Sequence, residues 1–353
     1  MLLARSPLQP VVRALGIVVA FILGVGGVLW FVLALGGFDV SAAMRAWLSG
    51  AVGSPAAFAS GTLVRATPLI LTGLAVGFAF RGGVLNIGAD GQFLAGAATA
   101  TWIAQAAAGV PSLAGIPFAI AGGALAGSTA AAVPAWLRRR FGVLEVITTL
   151  MMNFVALYLV GWLVRGPLQE STGIYPQSAP MPSSFRLATI SSGSRLHVGF
   201  FLAVGLAVAA WWVLQHTALG FRIRAVGANP RAAESAGGVN VPRVAFRVFL
   251  FSGALAGVAG ATEVMGVTYA LYENLSPGYG YTAIAVALLA SLNPLVTIVS
   301  GIAMAALATG GAAMQREAGV PLTLVSMLEA LIILALLTWT TVSKRRATSR
   351  ALT

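Results

Sequence analysis

Cysteine is absent from this 353-residue chain, and histidine occurs only as His197 and His216. The first absence excludes disulfides, a Cys-ligated metal and a cysteine nucleophile. The second excludes a histidine-rich metal cluster. Lysine occurs once, at Lys344, after Thr340-Thr341-Val342-Ser343 and with no glycine nearby. A P-loop needs glycine-rich backbone amides and a lysine on the phosphates, so the chain has no ATP site of that kind. Charge is scarcer still. Only 8% of residues are charged, against roughly 25% in an ordinary soluble domain. That argues against a soluble fold, a disordered chain and a nucleic-acid-binding domain. Nine scattered acids and two histidines offer no catalytic constellation and no metal site.

What is present is apolar: 58% of residues, with 42 glycines. The class left is an all-α polytopic membrane protein. The net charge of +12 then reads as a set of topology signals between apolar runs. A span needs about 20 mostly apolar residues. The first runs over about 14–37, too long for the roughly 7–15 residue core of a signal peptide. Further spans fall at about 60–80, 91–108, 117–137, 143–164, 198–215 and 244–265. The apolar stretch 281–313 is broken at Asn293-Pro294 and reads as two shorter helices. The last span is about 321–342. The chain thus reads as a single transmembrane domain over 1–353 with about ten helices. A polar external loop covers 165–197, and a basic cytoplasmic loop covers 216–243.

Ten spans put both termini on one side. With the N-terminus inside, only Arg45, Arg65, Arg165, Arg186, Arg195 and Arg316 of the 21 cations fall outside. That asymmetry supports N-in, C-in. Small residues recur four apart at Gly73/Gly77, Gly123/Gly127 and Gly253/Gly257, a spacing that lets helix backbones approach closely in lipid.

Three features stand out against this background. In the basic loop, Asn229 suits an N-cap and Pro230 a first helical position, and Gly237-Gly238 stops the helix. A two-turn helix over 230–236 follows. It is too short to be stable alone, so it packs on its own bundle or docks a cytoplasmic partner. Second, Arg81-Gly-Gly-Val-Leu-Asn-Ile-Gly-Ala-Asp-Gly-Gln92 breaks the helical pattern and brings Asn86, Asp90 and Gln92 together. Irregular backbone at membrane depth must be buried in protein or line a cavity. The alternative is a plain cytoplasmic turn, with Asp90 in the first turn of the next span. Third, Glu145, Thr149 and Asn153 share one helix face at i, i+4, i+8. Glu329 sits mid-span, where an acid is a functional candidate by default. Glu263 lies near the outer end of its span, within reach of water. Tyr269, Tyr272, Tyr279 and Tyr281 suggest an interfacial belt, with stacking on a flat ligand as the alternative.

Several of these strings resemble one family. Phe80-Arg-Gly-Gly-Val-Leu-Asn-Ile-Gly-Ala-Asp-Gly-Gln92 resembles the signature of bacterial ABC importer permeases of the simple-sugar and nucleoside type. Glu145-Val-Ile-Thr-Thr-Leu-Met-Met-Asn153 looks like the next block. Arg224-Ala-Val-Gly-Ala-Asn-Pro-Arg-Ala-Ala-Glu-Ser-Ala-Gly237 resembles the cytoplasmic coupling segment. Tyr279-Gly-Tyr-Thr-Ala-Ile-Ala and Asn293-Pro294 look like the late block. The blocks run in family order across about 80–340. The Asn-Ile-Gly-Ala-Asp-Gly-Gln form looks like the nucleoside branch rather than the ribose branch. Departures are Leu144, where Asn is expected, and milder ones at Arg81 and Asp90.

The resemblance implies a permease subunit, not itself an enzyme, in the bacterial cytoplasmic membrane. It imports nucleosides, purine nucleosides favoured, with a ribose-type sugar as the alternative. It binds no cofactor; ATP and Mg belong to a cytoplasmic ATPase. That ATPase docks through Arg224, Gly227, Asn229, Pro230, Arg231, Glu234 and Gly237. A second permease chain, identical or not, completes the pathway, and an extracytoplasmic binding protein delivers the substrate. The substrate passes faces carrying Asn86, Asp90, Gln92, Asn153 and Glu329. A rival reading is a proton-coupled secondary transporter with Glu329 or Glu263 as its proton site.

Overall fold

The structure is a computed structural model that describes residues 24, 26, 27, 30–191, 193–321, 323–327, 330, 331, 333, 334 and 338. About half of each of the expected spans over 14–37 and 321–342 lies outside these residues, and Glu329 lies outside them altogether. Every described element is helical, and only isolated β-bridges interrupt that pattern. In chain order the main helices begin with α1 (Val40–Val52), α2 (Pro55–Arg81), α3 (Ala89–Ala106) and α4 (Ser112–Phe141). They continue with α5 (Glu145–Arg165), α6 (Gly199–His216), α7 (Ala218–Ala228) and α8 (Pro230–Gly237). Last come α9 (Val241–Thr268), α10 (Tyr279–Leu289) and α11 (Pro294–Ala318). Among the described residues, α2, α4, α5, α6, α9 and α11 are long and apolar enough to cross a membrane.

The helix ends follow the local sequence. Asp39 caps α1 by accepting from the Ser41 and Ala42 amides at 2.8 and 3.0 Å. At the far end of α4, Arg138, Arg139 and Arg140 fill the last turn, and Gly142 closes it at φ 68°. The basic loop differs from expectation: it holds a second helix, α7, ahead of the expected one. Thr217 caps α7 by accepting from the Gly220 amide at 3.0 Å.

The chain divides into two compact units. One comprises the described residues up to Phe58 and from Ala306; the other is Ala59–Ala305. In the first, α1 packs on the end of α11: Gly310 lies against the Trp47 ring and Gly50 against Ala313. The second unit holds α3 to α10. Its α2 is almost wholly internal, with 83% of its apolar window buried, whereas α4, α5 and α6 bury 22%, 28% and 22%. Those three therefore show most of their apolar surface outward, as lipid-facing helices do. The four-residue glycine spacings find each other. Gly123 and Gly127 of α4 meet Gly253 and Gly257 of α9 so closely that a Cβ on Gly127, Gly253 or Gly257 would overlap backbone carbonyl oxygens across the contact. Gly73 packs on Val286, and Gly77 faces Ala287 of α10. Between spanning helices such contact replaces the hydrophobic drive that lipid removes.

Candidate functional site

The break between α2 and α3 sits inside the bundle. Asn86 is fully buried and donates from Nδ2 to the Ser252 hydroxyl at 2.8 Å; Ser252 donates in turn to the Ala75 carbonyl at 2.7 Å. At a rise of 1.5 Å per residue, Ala75 is about 9 Å inside the end of α2. The chain therefore turns back into the bundle after Gly83 rather than lying on its surface. The plain-turn reading fits only its first residues. Those lie at the α8 end, where Gly83 touches the Gly227 Cα.

Buried backbone without a helix needs partners, and the polar residues supply them. Asn86 and Gln92 exchange amide hydrogen bonds at 2.9 and 3.1 Å, and Asn86 Oδ1 also accepts from the Gly88 amide at 2.9 Å. From α5, Thr149 Oγ1 accepts from the Ile87 amide at 3.3 Å. Asn153 Oδ1 accepts from the Gly91 amide at 2.8 Å, and its Nδ2 donates to the Ile87 carbonyl at 3.0 Å. Two members of the polar face on α5 thus clasp the break. Glu145, at the head of that face, instead pairs with Arg138 at 3.1 Å.

A second interruption meets the first. Asp90 Oδ1 accepts from the Ser276 hydroxyl at 2.7 Å and from the Gly280 amide at 2.9 Å. Gly280 lies so close that any Cβ would overlap the Asp90 backbone. Asn153 Nδ2 also donates to the Tyr281 hydroxyl at 3.1 Å. The Tyr279 ring packs on Phe93, with centroids 5.6 Å apart, and its hydroxyl hydrogen-bonds the Glu263 carboxylate. The structure therefore brings Asn86, Asp90, Gln92 and Asn153 into one buried cluster.

Two expectations need correction. Glu263 does not simply reach water: it is 6% exposed, with Arg65 and Arg195 near enough for their charges to act on it. Tyr279 is not part of a plain interfacial belt, since its ring turns inward onto Phe93 and its hydroxyl bonds Glu263 of α9, whereas Tyr281, bonded to Asn153 of α5, keeps an exposed face. Their roles depend on partners far along the chain, which spacing does not reveal.

The expected helix in the basic loop is present as α8. Asn229 accepts from the Ala232 amide at 3.1 Å, Pro230 occupies the first position, and Gly238 follows at φ 59°. Ala233 is buried against the core cluster that includes Val226 and Phe249, while Arg231 and Glu234 are exposed. One side of α8 thus rests on its own bundle and the charged side is free. Gly227, in the last turn of α7, lies against the Arg81 carbonyl. One Arg224 nitrogen, Nη1, is buried with no hydrogen-bond partner among the described residues.

At the opposite end, the 166–198 loop is folded rather than loose. Ser178 donates its amide to the Leu271 carbonyl at 2.7 Å, Met181 to Tyr269 at 2.7 Å and Leu187 to Met265 at 2.8 Å. Hydrogen bonds from Thr172 and Gln177 hold the Glu170 carboxyl below its usual range. Burial pushes the His197 imidazole down to about 4. Its Nδ1 accepts from the Gly199 amide at 3.2 Å, and Gly266 lies flat against the ring. Among the described residues, no group of three or more His, Cys, Asp or Glu is placed to hold a metal.

A family model described as the permease component of the branched-chain amino acid transport system matches residues 58–337. The glucose ABC transporter permease protein TsgB13 of Haloferax volcanii is 39% identical over 78% of this chain and 75% of its own. The guanosine ABC transporter permease protein NupP of Bacillus subtilis is 37% identical over 90% of each chain. The nucleoside ABC transporter permease protein NupB of Lactococcus lactis is 31% identical over 77% of each. No solved structure gives a significant match.

Proposed function

Because this chain belongs to the family of permease components of branched-chain amino acid transport systems, we propose that it is the membrane-spanning subunit of an ATP-driven nucleoside importer. The observation that carries the reading is the end-to-end similarity, over 90% of both chains, to a guanosine permease. The 39% identity to a glucose permease favours a sugar as the second reading. The chain crosses the bacterial cytoplasmic membrane about ten times, with both termini inside. The α8 end is then cytoplasmic and the 166–198 loop external.

ATP and Mg bind on a separate cytoplasmic ATPase. It docks on α7 and α8 through Arg224, Gly227, Asn229, Pro230, Arg231, Glu234 and Gly237. The free charged side of α8, with Arg231 and Glu234 exposed, suits that role. Movement there reaches the α2–α3 break directly, because Gly227 rests on Arg81 and Gly83. A second permease chain and an extracytoplasmic binding protein complete the machine. The substrate passes along the faces set by Asn86, Asp90, Gln92 and Asn153, with Glu329 as a further pathway residue.

The test has two steps. Crosslinking from Glu234→Cys, in a chain with no other cysteine, is expected to capture a nucleotide-binding subunit. Uptake of guanosine and of glucose by the assembled transporter then separates the two substrate readings. Uptake that survives ATP depletion at an intact proton gradient refutes the ATP-driven reading.

A further inference from the structure

Among the described residues, two stretches are π-helical: Phe58–Leu63 near the start of α2 and Val264–Thr268 at the end of α9. Such turns are rare and recur at functional sites. Each adjoins a charged residue. Arg65 stands just after the first, and Glu263 directly before the second. The two charges lie at one level of the bundle. The Ser252 hydroxyl of α9 is bonded to the Ala75 carbonyl of α2. At a rise of 1.5 Å per residue, Arg65 and Glu263 each lie about 15 Å beyond that bond, toward the 166–198 loop.

The loop ties the two stretches together. Ser60, in the first, donates its hydroxyl to Ser194 at 3.2 Å and accepts from the Arg195 amide at 3.3 Å. In the second, the Val264 carbonyl accepts from the Tyr269 amide at 3.0 Å, and the Met265 carbonyl accepts from the Leu187 amide at 2.8 Å. Arg195 is thereby brought, with Arg65, within electrostatic reach of Glu263. Tyr272 lies within reach of the same carboxylate.

The group has a buried floor and an exposed rim. Glu263 is the floor: its carboxylate is held by the Tyr279 hydroxyl, whose ring is fixed on Phe93. Arg65, Arg195 and Tyr272 are exposed around it. Among the described residues, Glu145 and Glu273 form ion pairs, with Arg138 at 3.1 Å and Arg165 at 2.8 Å, whereas Glu263 forms none. A buried acid kept for structure alone needs a close partner to offset its desolvation. Glu263 has two arginines nearby and closes on neither. A carboxylate offers about four acceptor positions, and one tyrosine bond leaves most of them open. Unspent acceptors thus stand at the floor and guanidinium donors at the rim.

We infer that Glu263, Arg65 and Arg195 form an outer binding site for adjacent hydroxyls of a sugar ring. Two neighbouring hydroxyls donate to one carboxylate, and their oxygens accept from the guanidiniums, so a single diol satisfies both halves of the site. Both substrate readings, the nucleoside and the sugar, carry such a pair, and in neither does it involve a nucleobase. The site reads the part the two cargoes share. The inference rests on the importer reading, so its first measurement needs neither ATP nor transport.

That measurement is saturation-transfer NMR on the assembled transporter in lipid nanodiscs, without its binding protein, with guanosine and glucose as probes in turn. For guanosine, the ribose 2′ and 3′ protons are expected to receive more saturation than the base proton. Glu263→Gln is expected to cut that transfer at least about fivefold, as loss of a hydrogen bond to a charged group does to binding. A Glu263-dependent signal from glucose alone rejects the nucleoside reading and keeps the site. Strongest transfer at the base, or no Glu263-dependent transfer to either probe, overturns the inference. Uptake supplies the second arm. The ratio of guanosine to 2′,3′-dideoxyguanosine turnover is compared between native and variant transporters with the same binding protein, whose own preference cancels. Glu263→Gln is expected to lower that ratio about tenfold. An equal loss of both substrates marks a merely structural role and refutes the site. Arg65→Gln and Arg195→Gln change exposed side chains and leave the fold intact; each is expected to lower the same ratio several-fold. If Glu263→Gln fails to assemble, these two decide: a fall in either supports the site, and an unchanged ratio in both overturns it.

Discussion

Asn153→Ala isolates the clasp on the α2–α3 break. Asn153 is 4% exposed and makes three hydrogen bonds. The Tyr281 hydroxyl belongs to a residue 43% exposed and can find another partner. The other two partners are backbone groups: the Ile87 carbonyl in the break and the Gly91 amide in the first turn of α3, where no intrahelical acceptor serves it. Among the described residues no other side chain bonds either, since Thr149 serves the Ile87 amide instead. Each buried backbone group left unmet costs about 1–3 kcal/mol, so the loss is roughly 2–6 kcal/mol. Unfolding of the purified chain in mixed micelles by sodium dodecyl sulfate, followed by tryptophan fluorescence, measures it. Met151→Ala on the same helix is the control. Its side chain is 49% exposed on a largely outward-facing helix, so its change stays below about 1 kcal/mol. Amide exchange at Gly91 should also quicken in Asn153→Ala alone. If Asn153→Ala matches Met151→Ala within error, the clasp does not hold the break and the reasoning fails.

Gly227→Ala places a methyl on the Arg81 carbonyl; it is expected to raise ATP hydrolysis without uptake, read from the ratio of the two in proteoliposomes. Asn229→Ala removes the cap of an 8-residue helix, worth about 1 kcal/mol, and is expected to weaken ATPase capture in a pull-down titration about fivefold; unchanged capture sinks the docking role. His197 is fully buried and its imidazole titrates near 4, below its unfolded value of about 6.5. Between these values the unfolded chain binds the proton and the folded chain does not, so stability is fully present above about 6.5 and falls as pH drops toward 4. The loss at pH 5 is about 2 kcal/mol, seen as a lower thermal midpoint that His197→Phe does not share. Gln92→Met, which removes one half of the buried amide pair with Asn86, is expected to change guanosine, adenosine and cytidine uptake in one proportion; a reordered preference refutes a purely structural role for Gln92.

Local chemistry explains which parts of this structure can be read from the chain. Asn229-Pro230 and Gly237-Gly238 announce α8 because a cap, a first-turn proline and a left-handed stop act within a few residues. Asn293-Pro294 announces the division of 281–313 for the same reason. Thr149 and Asn153 are readable as one face because a helix repeats every 3.6 residues. By contrast, α7 is masked by Gly220, Gly227, Arg222 and Arg224, which spoil its apolar pattern. Ile223 and Val226 hold it by packing into a cluster with Leu214 and Phe249. Thr217 was the one local sign of it. The Asp90–Gly280 and Glu263–Tyr279 bonds could not be read at all, since their partners meet only after α9 and α10 have packed.

The hydrogen bonds around the break also limit what its polar residues can do. Asn86 and Gln92 spend their amides on each other, on Gly88 and on Ser252; Asn153 spends its own on Gly91, Ile87 and Tyr281. On the proposed pathway, a nucleoside would gain a bond to any of them only by taking it from buried backbone or from another buried side chain. In the membrane interior that exchange leaves an unmet group costing as much as the new bond contributes. On the proposed importer reading, discrimination between nucleobases would therefore fall to the extracytoplasmic binding protein rather than to these residues. The break contributes shape and a route for motion. On that proposal the permease would tolerate at this point any ligand of fitting shape that a binding protein delivers. A guanosine permease and a glucose permease can then share the same framework at 37% and 39% identity to one chain.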